Sequence, residues 1–178
     1  MMVERRPPRP SSTSYDNQRV GIFIDVANLY HSAKNLYHGR VNYQELVKYL
    51  VGGRQLIRAM AYVIKSETAV GEASFFEALE KTGLELRVKD LQVYGDGLKK
   101  GDWDVGLAVD AIRMSEFLDV IILVAGDGDY VPLVDYLKWG KGRQVEVAAF
   151  HRSASGKLQE AAEKFINIES IPRIIIRK

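Results

Sequence analysis

In the stretch ILVAGDGDYVPLVDYL (residues 121–136), Asp127 and Asp129 stand one residue apart immediately behind an apolar run. Two carboxylates placed so closely either cap the helix that follows or hold a cation, and a cap needs only one of them. Asp129 lies next to the helical pattern YVPLVDYL and is the expected cap, which leaves Asp127, between Gly126 and Gly128, as the residue that asks for a function. Similar groups recur elsewhere. Asp25 closes the apolar run VGIFID, Asn28 follows it in DVAN, and Asp102 and Asp104 open DWDVGLAVDAIRM. Each of these can also be read as a helix cap, but Asp102 and Asp104 cannot both be needed for one. Asp110 and Asp119 read as solvated or structural charges.

Carboxylates gathered in one place repel one another unless a cation, a shared proton or water intervenes. Mg2+ suits such a site, since it prefers hard oxygen ligands and takes one or two carboxylates beside phosphate oxygens; Mn2+ fits the same donors. A metal there lowers the pKa of bound water and neutralises charge on a phosphoryl group, so the chemistry suggested is phosphodiester or phosphomonoester hydrolysis. Other centres find no support. The chain has no cysteine, which excludes disulfides and thiolate zinc sites. His31, His38 and His151 form no i, i+4 metal pair. HRSASGKL lacks the leading glycine and final Ser or Thr of a phosphate loop, GDGDY lacks the spacing of an EF-hand, and there is no G-x-S-x-G.

The elements that must carry these residues alternate. VGIFID, RQLIRAMAYVIK, LELRVKDLQVYG, LDVIILVAG and RQVEVAAF read as strands, with FINIES as a further one. Between them VANLYHSAKNLYHG, YQELVKYLVGG, GEASFFEALEKTG, DWDVGLAVDAIRMSEF, YVPLVDYLKWG and SGKLQEAAEKF read as helices. In the third of these helices Phe75, Phe76 and Leu79 are expected inside. In the fourth, Val105, Ala108, Val109 and Ile112 fall on one face and are expected against the core. Pro132 is tolerated in a first helical turn. This order predicts an α/β fold with right-handed crossovers and a central, mainly parallel sheet of five to six strands. Ligands of such sheets collect beyond the carboxyl ends of the strands, where strand order reverses. Asp25, Asp102 or Asp104, Asp127 and Asp129 can all reach that rim.

At 178 residues, 47% hydrophobic and 27% charged, the chain suits one soluble domain. Residues 1–19 are rich in Pro, Ser and Arg and are expected to form a flexible basic arm, with residues 20–178 as the domain. No stretch approaches the ~20 apolar residues of a membrane span, and without an apolar signal core a cytoplasmic location is the default. The net charge of +2 does not by itself announce nucleic acid. Lys99 and Lys100 before GDWD, and Lys138, Lys141 and Arg143 further on, could contact phosphates, although exposed lysines commonly serve solubility. The terminal IPRIIIRK is expected to pack on its own core, with a homodimer contact as the alternative.

FIDVANLY, KKGDWDVGLAVDAI and LVAGDGDYVPLVDYLKWGKGRQVEVAAF, in this order, resemble the NYN domain family, particularly its LabA-like branch, over roughly residues 19–168. That family belongs to the PIN-like nucleases. The resemblance therefore implies a Rossmann-like, PIN-type three-layer sandwich and Mg2+- or Mn2+-dependent ribonuclease chemistry. It implies metal or catalytic roles for Asp25, Asp104, Asp127 and Asp129, with Asp102 as the alternative to Asp104. Asn28 is implied as a companion that orients phosphate or water; it and Lys100 are the expected substrate contacts. Two departures stand out. Ala125 occupies a position where many relatives have Ser or Thr, so a water-positioning hydroxyl would be lost. Tyr130 replaces the commoner Phe, which is expected to be harmless.

The function expected is hydrolysis of single-stranded RNA by a metal-activated water. One rival is a nucleic-acid-binding or regulatory module without useful turnover, for which Ala125 is the support. The other is a metal-dependent phosphatase of small phosphoesters, disfavoured because DVAN lacks a D-x-D nucleophile pair.

Overall fold

The computed structural model describes residues 16–66 and 70–177. The expected basic arm lies almost wholly outside the described residues, and the first strand already begins at Arg19. In chain order, β1 (Arg19–Asp25) leads into α1 (Val26–Tyr37), β2 (Arg40–Val41), α2 (Tyr43–Val51) and β3 (Gln55–Lys65). Then come α3 (Glu72–Lys81), β4 (Glu85–Asp90), β5 (Gln92–Val93), β6 (Lys99–Lys100) and α4 (Asp104–Met114). The remainder consists of β7 (Val120–Val124), α5 (Val131–Asp135), β8 (Gln144–Ala149), α6 (Gly156–Ala161), β9 (Lys164–Asn167) and β10 (Ile175–Ile176).

Six strands form one parallel sheet in the order β4-β3-β1-β7-β8-β9. The alternation of side chains along a strand sorts its core into two layers. Val120, Ile122 and Val124 of β7 pack with Ile22 and Ile24 of β1 and with Leu29, Leu46 and Leu79 from α1, α2 and α3. Ile121 and Leu123 face the other way, toward Phe23, Leu107 and Ala111 of α4, Leu133 of α5 and Leu158 of α6. The result is the expected three-layer α/β sandwich. From β1 the chain first builds outward through β3 and β4, then returns to add β7, β8 and β9 on the other side. The reversal therefore falls between β1 and β7, which run in register from Val20 beside Val120 to Ile24 beside Val124. A crevice opens there at the carboxyl ends.

Several expectations are corrected. LELRVKDLQVYG does not form one strand: β4 stops at Asp90, and β5 and β6 make a separate antiparallel hairpin whose turn closes with Tyr94 N–H donating to the Leu98 carbonyl at 2.8 Å. On α4 the buried positions are Leu107, Asp110 and Ala111, whereas Val105 and Val109 are exposed at 76% and 45%. The helix has apolar residues on two overlapping stripes, and only the sheet selects between them. Helix α6 ends at Ala161, before the expected Phe165, because Lys164 already belongs to β9. Residues 168–170 form a 3₁₀ turn after β9. At the terminus Ile171 and Ile174 are buried and β10 pairs with β2, so IPRIIIRK packs on its own chain. Phe75 and Phe76 are only half-buried while Leu79 is fully inside.

Candidate metal centre

The rim is built from three chain segments. Asp25 is the last residue of β1 and caps α1, accepting the Asn28 amide at 3.2 Å. Its companion Asn28 then reaches across the crevice, and its side-chain oxygen accepts the Gly126 N–H at 3.0 Å. This bond ties the end of β1 to the end of β7. The loop after β7 turns back at Asp127, whose carboxylate accepts the Asp129 amide at 2.9 Å and so caps the short 3₁₀ turn Gly128–Tyr130. The expected division of labour is thus reversed: Asp127 is the cap, and Asp129 is an exposed carboxylate on the turn that Asp127 opens. Asp127 is not relieved of a functional role by this, since a carboxylate has two oxygens and one cap occupies one of them.

The glycines of GDGD have a spatial cause. The Gly126 carbonyl accepts Ser155 N–H at 2.8 Å. A Cβ on Gly126 would lie 3.2 Å from Ala154 Cα, and one on Gly128 would lie 2.8 Å from Ser155 Oγ. The 153–155 loop approaches the acidic loop closely enough that a side chain at either glycine would force a shift.

The third segment is the start of α4. Asp104 presents its carboxylate to Asp127 and Asp129, and one oxygen from each of the three lies within 4.8 Å of the others. Asp104 rather than Asp102 therefore joins the cluster. Trp103 fixes this choice: its indole N–H donates to the Val63 carbonyl at 2.9 Å, and its ring meets Tyr62 edge-on at 5.4 Å. Tyr62 in turn donates to buried Asp110 at 2.9 Å, with Arg87 3.6 Å from the same carboxylate. Asp110 is thus a structural charge that seats α4 on β3 and β4.

Tyr130, expected to be harmless in place of Phe, makes contacts that a Phe would lack. Its hydroxyl lies 3.1 Å from an Asp104 oxygen and 3.3 Å from an Asp25 oxygen, joining Asp25 to the cluster. A hydroxyl has one proton, so it can donate to one of these carboxylates at a time. The only sequence signal for this residue was a phenol in the first turn after GDGD. Ala125 is fully buried in the core layer of α4 and α5.

The electrostatics are those of crowded like charges. Burial raises the Asp25 pKa above the usual carboxylate value, partly offset by the Asn28 amide, and the charges of Asp104 and Asp127 raise it further. Burial likewise raises Asp104, opposed by the Tyr130 hydrogen bond and reinforced by Asp102, Asp127 and Asp129. Burial and the two adjoining carboxylates push the Tyr130 phenol far up, so it remains a donor at any ordinary pH. No lysine or arginine forms an ion pair with Asp25, Asp104, Asp127 or Asp129 among the described residues.

Of the expected phosphate contacts, the Lys100 and Lys99 side chains lie outside the described residues. Lys141 is paired with Glu116, and Lys138 donates to the Ala161 carbonyl at 2.7 Å, both at the opposite end of the sheet. The lysine that does approach the rim is Lys89, 3.0 Å from the Asp102 carbonyl.

The profile of the NYN domain matches residues 19–169. The chain belongs to the NYN domain family. It is 22% identical over 165 residues to the low amplitude and bright protein LabA of Synechococcus elongatus, covering 88% of this chain and 87% of that one. A crystal structure of a protein of unknown function from Vibrio parahaemolyticus is 28% identical and superposes with a TM-score of 0.82, covering 90% of this chain and 98% of that one. Within this NYN fold the acidic cluster occupies the strand-order reversal. No described helix is long and apolar enough to cross a membrane.

Proposed function

We propose that this NYN domain is a divalent-metal-dependent ribonuclease that hydrolyses phosphodiester bonds at the carboxyl rim of its sheet. The observation that carries the reading is the convergence of Asp104, Asp127 and Asp129 within 4.8 Å without a cationic partner among the described residues. The donors suit a hard cation: all are carboxylate oxygens. The cluster suits an ion that takes one or two carboxylates directly and keeps several waters, the habit of Mg2+ and Mn2+.

In this proposal Asp104, Asp127 and Asp129 hold the metal and Asp25 completes the acidic set. A bound divalent ion would supply a more acidic water and neutralise charge on the phosphoryl oxygens. The remaining work falls to the chain. Tyr130 fixes the separation of Asp25 and Asp104, and the Asn28 carbonyl locks the two loops together. The Asn28 NH2 group is left to orient phosphate or water.

The test is cleavage of labelled single-stranded RNA by the purified chain with Mg2+ or Mn2+, with and without EDTA. Shortening that requires metal and disappears in Asp127→Asn is expected. Cleavage unchanged in EDTA or in Asp127→Asn would sink the mechanism, and RNA binding without cleavage in excess Mn2+ would make the domain a binding module.

A further inference from the structure

Next to the acidic rim lies an open groove of about 860 Å3. Its near end is formed by Val26 and Ala27, which directly follow Asp25, and by Gly101, just before the Asp102–Asp104 turn. From there one wall follows the exposed side of α1 through Tyr30, His31 and Lys34 to Arg40 just beyond it, while Phe75 and Phe76 of α3 form the opposite wall. At 1.5 Å per residue the span of α1 from Ala27 to Lys34 is about 10 Å. The volume is in the upper part of the ~300–1,000 Å3 that encloses compact ligands. It admits a short run of nucleotides.

Two features of the walls select the occupant. The first is charge. Lys34 and Arg40 are exposed and form no ion pair among the described residues, whereas Glu72, the one acid among the described lining residues, turns its carboxylate to the Ser66 amide at 3.0 and 3.2 Å. Among the described residues the groove thus carries more free cations than anions, although it opens onto a rim of carboxylates with no cation paired to them. The second is aromatic surface. Tyr30 is 42% exposed, with His31 edge-on at 5.6 Å and the Lys34 ammonium 6.0 Å from its ring. Exposed rings interleaved with cations are the means by which unpaired bases are stacked and their phosphates held.

We infer that the groove between α1 and α3 is the channel that binds single-stranded RNA beside the acidic centre, with Tyr30 stacking a base and Lys34 and Arg40 contacting phosphates. The inference rests on the ribonuclease reading for the direction of the strand, since it delivers a phosphodiester to Asp25 and Asp104. The stacking platform and its charges are independent of whether that bond is cut.

Binding of the full chain to a fluorescein-labelled single-stranded RNA 12-mer, followed by anisotropy in EDTA so that no cleavage intervenes, tests it. Tyr30→Ala is expected to weaken binding about five- to hundred-fold, the range of one lost base stack. Tyr30→Trp, which keeps the platform, is expected to restore it. Lys34→Glu with Arg40→Glu is expected to reduce the slope of log affinity against log salt by at least ~1.4, as for two phosphate contacts to a single strand. Lys81→Glu, the same change of charge at the far end of α3, serves as the control. Groove variants that bind as tightly as the wild type overturn the inference, as does equal affinity for a blunt RNA duplex. If the wild type cuts RNA and the groove variants leave KM unchanged, the groove fails while the nuclease reading stands. Groove-dependent binding without any metal-dependent cleavage upholds the groove and ends the nuclease reading.

Discussion

The two ends of the sheet treat their carboxylates in opposite ways. At the amino end Glu146, 2% exposed, is held by Arg54 at 2.8 and 3.0 Å, and Gln144 adds a third bond. Arg54 also donates to the Leu50 and Val51 carbonyls at the end of α2. Nearby, Asp119 is paired with Arg19 at 3.0 Å, and Glu116 with Lys141. At the carboxyl end Asp104, Asp127 and Asp129 converge and Tyr130 links Asp25 to them, with no cation paired to any of the four among the described residues. A buried charge that serves the fold must be paired, because desolvation otherwise costs several kcal/mol. Carboxylates left in mutual repulsion lower the stability of the fold and mark a candidate binding site.

That contrast predicts which substitutions cost activity and which cost stability. The largest expected effect is on cleavage: Asp104→Asn and Asp127→Asn should each lower the metal-dependent rate by about 10³-fold or more, since several kcal/mol of charge stabilisation leave with the metal. Both proteins should stay folded by circular dichroism. Arg54→Ala should do the reverse, losing about 3–5 kcal/mol in urea unfolding because Glu146 is left buried without its partner. Cleavage by the folded fraction should persist, and a large loss of rate there would erase the distinction between the two ends.

Tyr130→Phe lies between these cases. Removal of a hydrogen bond to charged carboxylates, worth roughly 1.5–3 kcal/mol, should slow cleavage about ten- to hundred-fold. An unaltered rate would return Tyr130 to the status of packing residue.

Acidity separates the two ends in sign. Asp25 and Asp104 have raised pKa values, so the native metal-free protein binds protons more tightly there than the unfolded chain does. Their effect on stability is most favourable below the ordinary aspartate range and declines as pH rises through the raised values. Urea midpoints measured in EDTA should show this decline, and Asp25→Asn should flatten it. Asp119, drawn down to about 2 chiefly by its hydrogen bonds from Arg19, behaves oppositely. Its contribution is present above the unfolded aspartate pKa and lost as pH falls toward 2. The pair is exposed, so Asp119→Asn should cost no more than about 1 kcal/mol at neutral pH, the smallest effect expected.

Much of the architecture is legible in the sequence. The unbroken apolar runs of β1 and β7 could only be strands covered on both faces, and their alternation with helical patterns dictates a parallel sheet. Aspartates at the ends of those two strands then had to meet if the strands were neighbours. The errors arose where one local pattern allowed two solutions. Helix α4 carries apolar residues on adjoining stripes, so Val105 and Val109 were as good a seam as Leu107 and Ala111 until the sheet chose. GDGD offers two candidate caps, and the structure uses Asp127, which accepts the Asp129 amide and opens the 3₁₀ turn one residue earlier than the helical pattern suggests.

Strand and helix periodicities are local and strong, so they set the alternating elements and bring hard oxygen ligands to one rim. Long-range packing is what turns Asp104 and not Asp102 inward, links Asp25 to the cluster through Tyr130, and gathers Tyr30, Lys34 and Arg40 in a groove with α3. Those decisions depend on the phase of each helix against the sheet, and contacts as distant as Trp103 with Val63 and Asn28 with Gly126 set that phase.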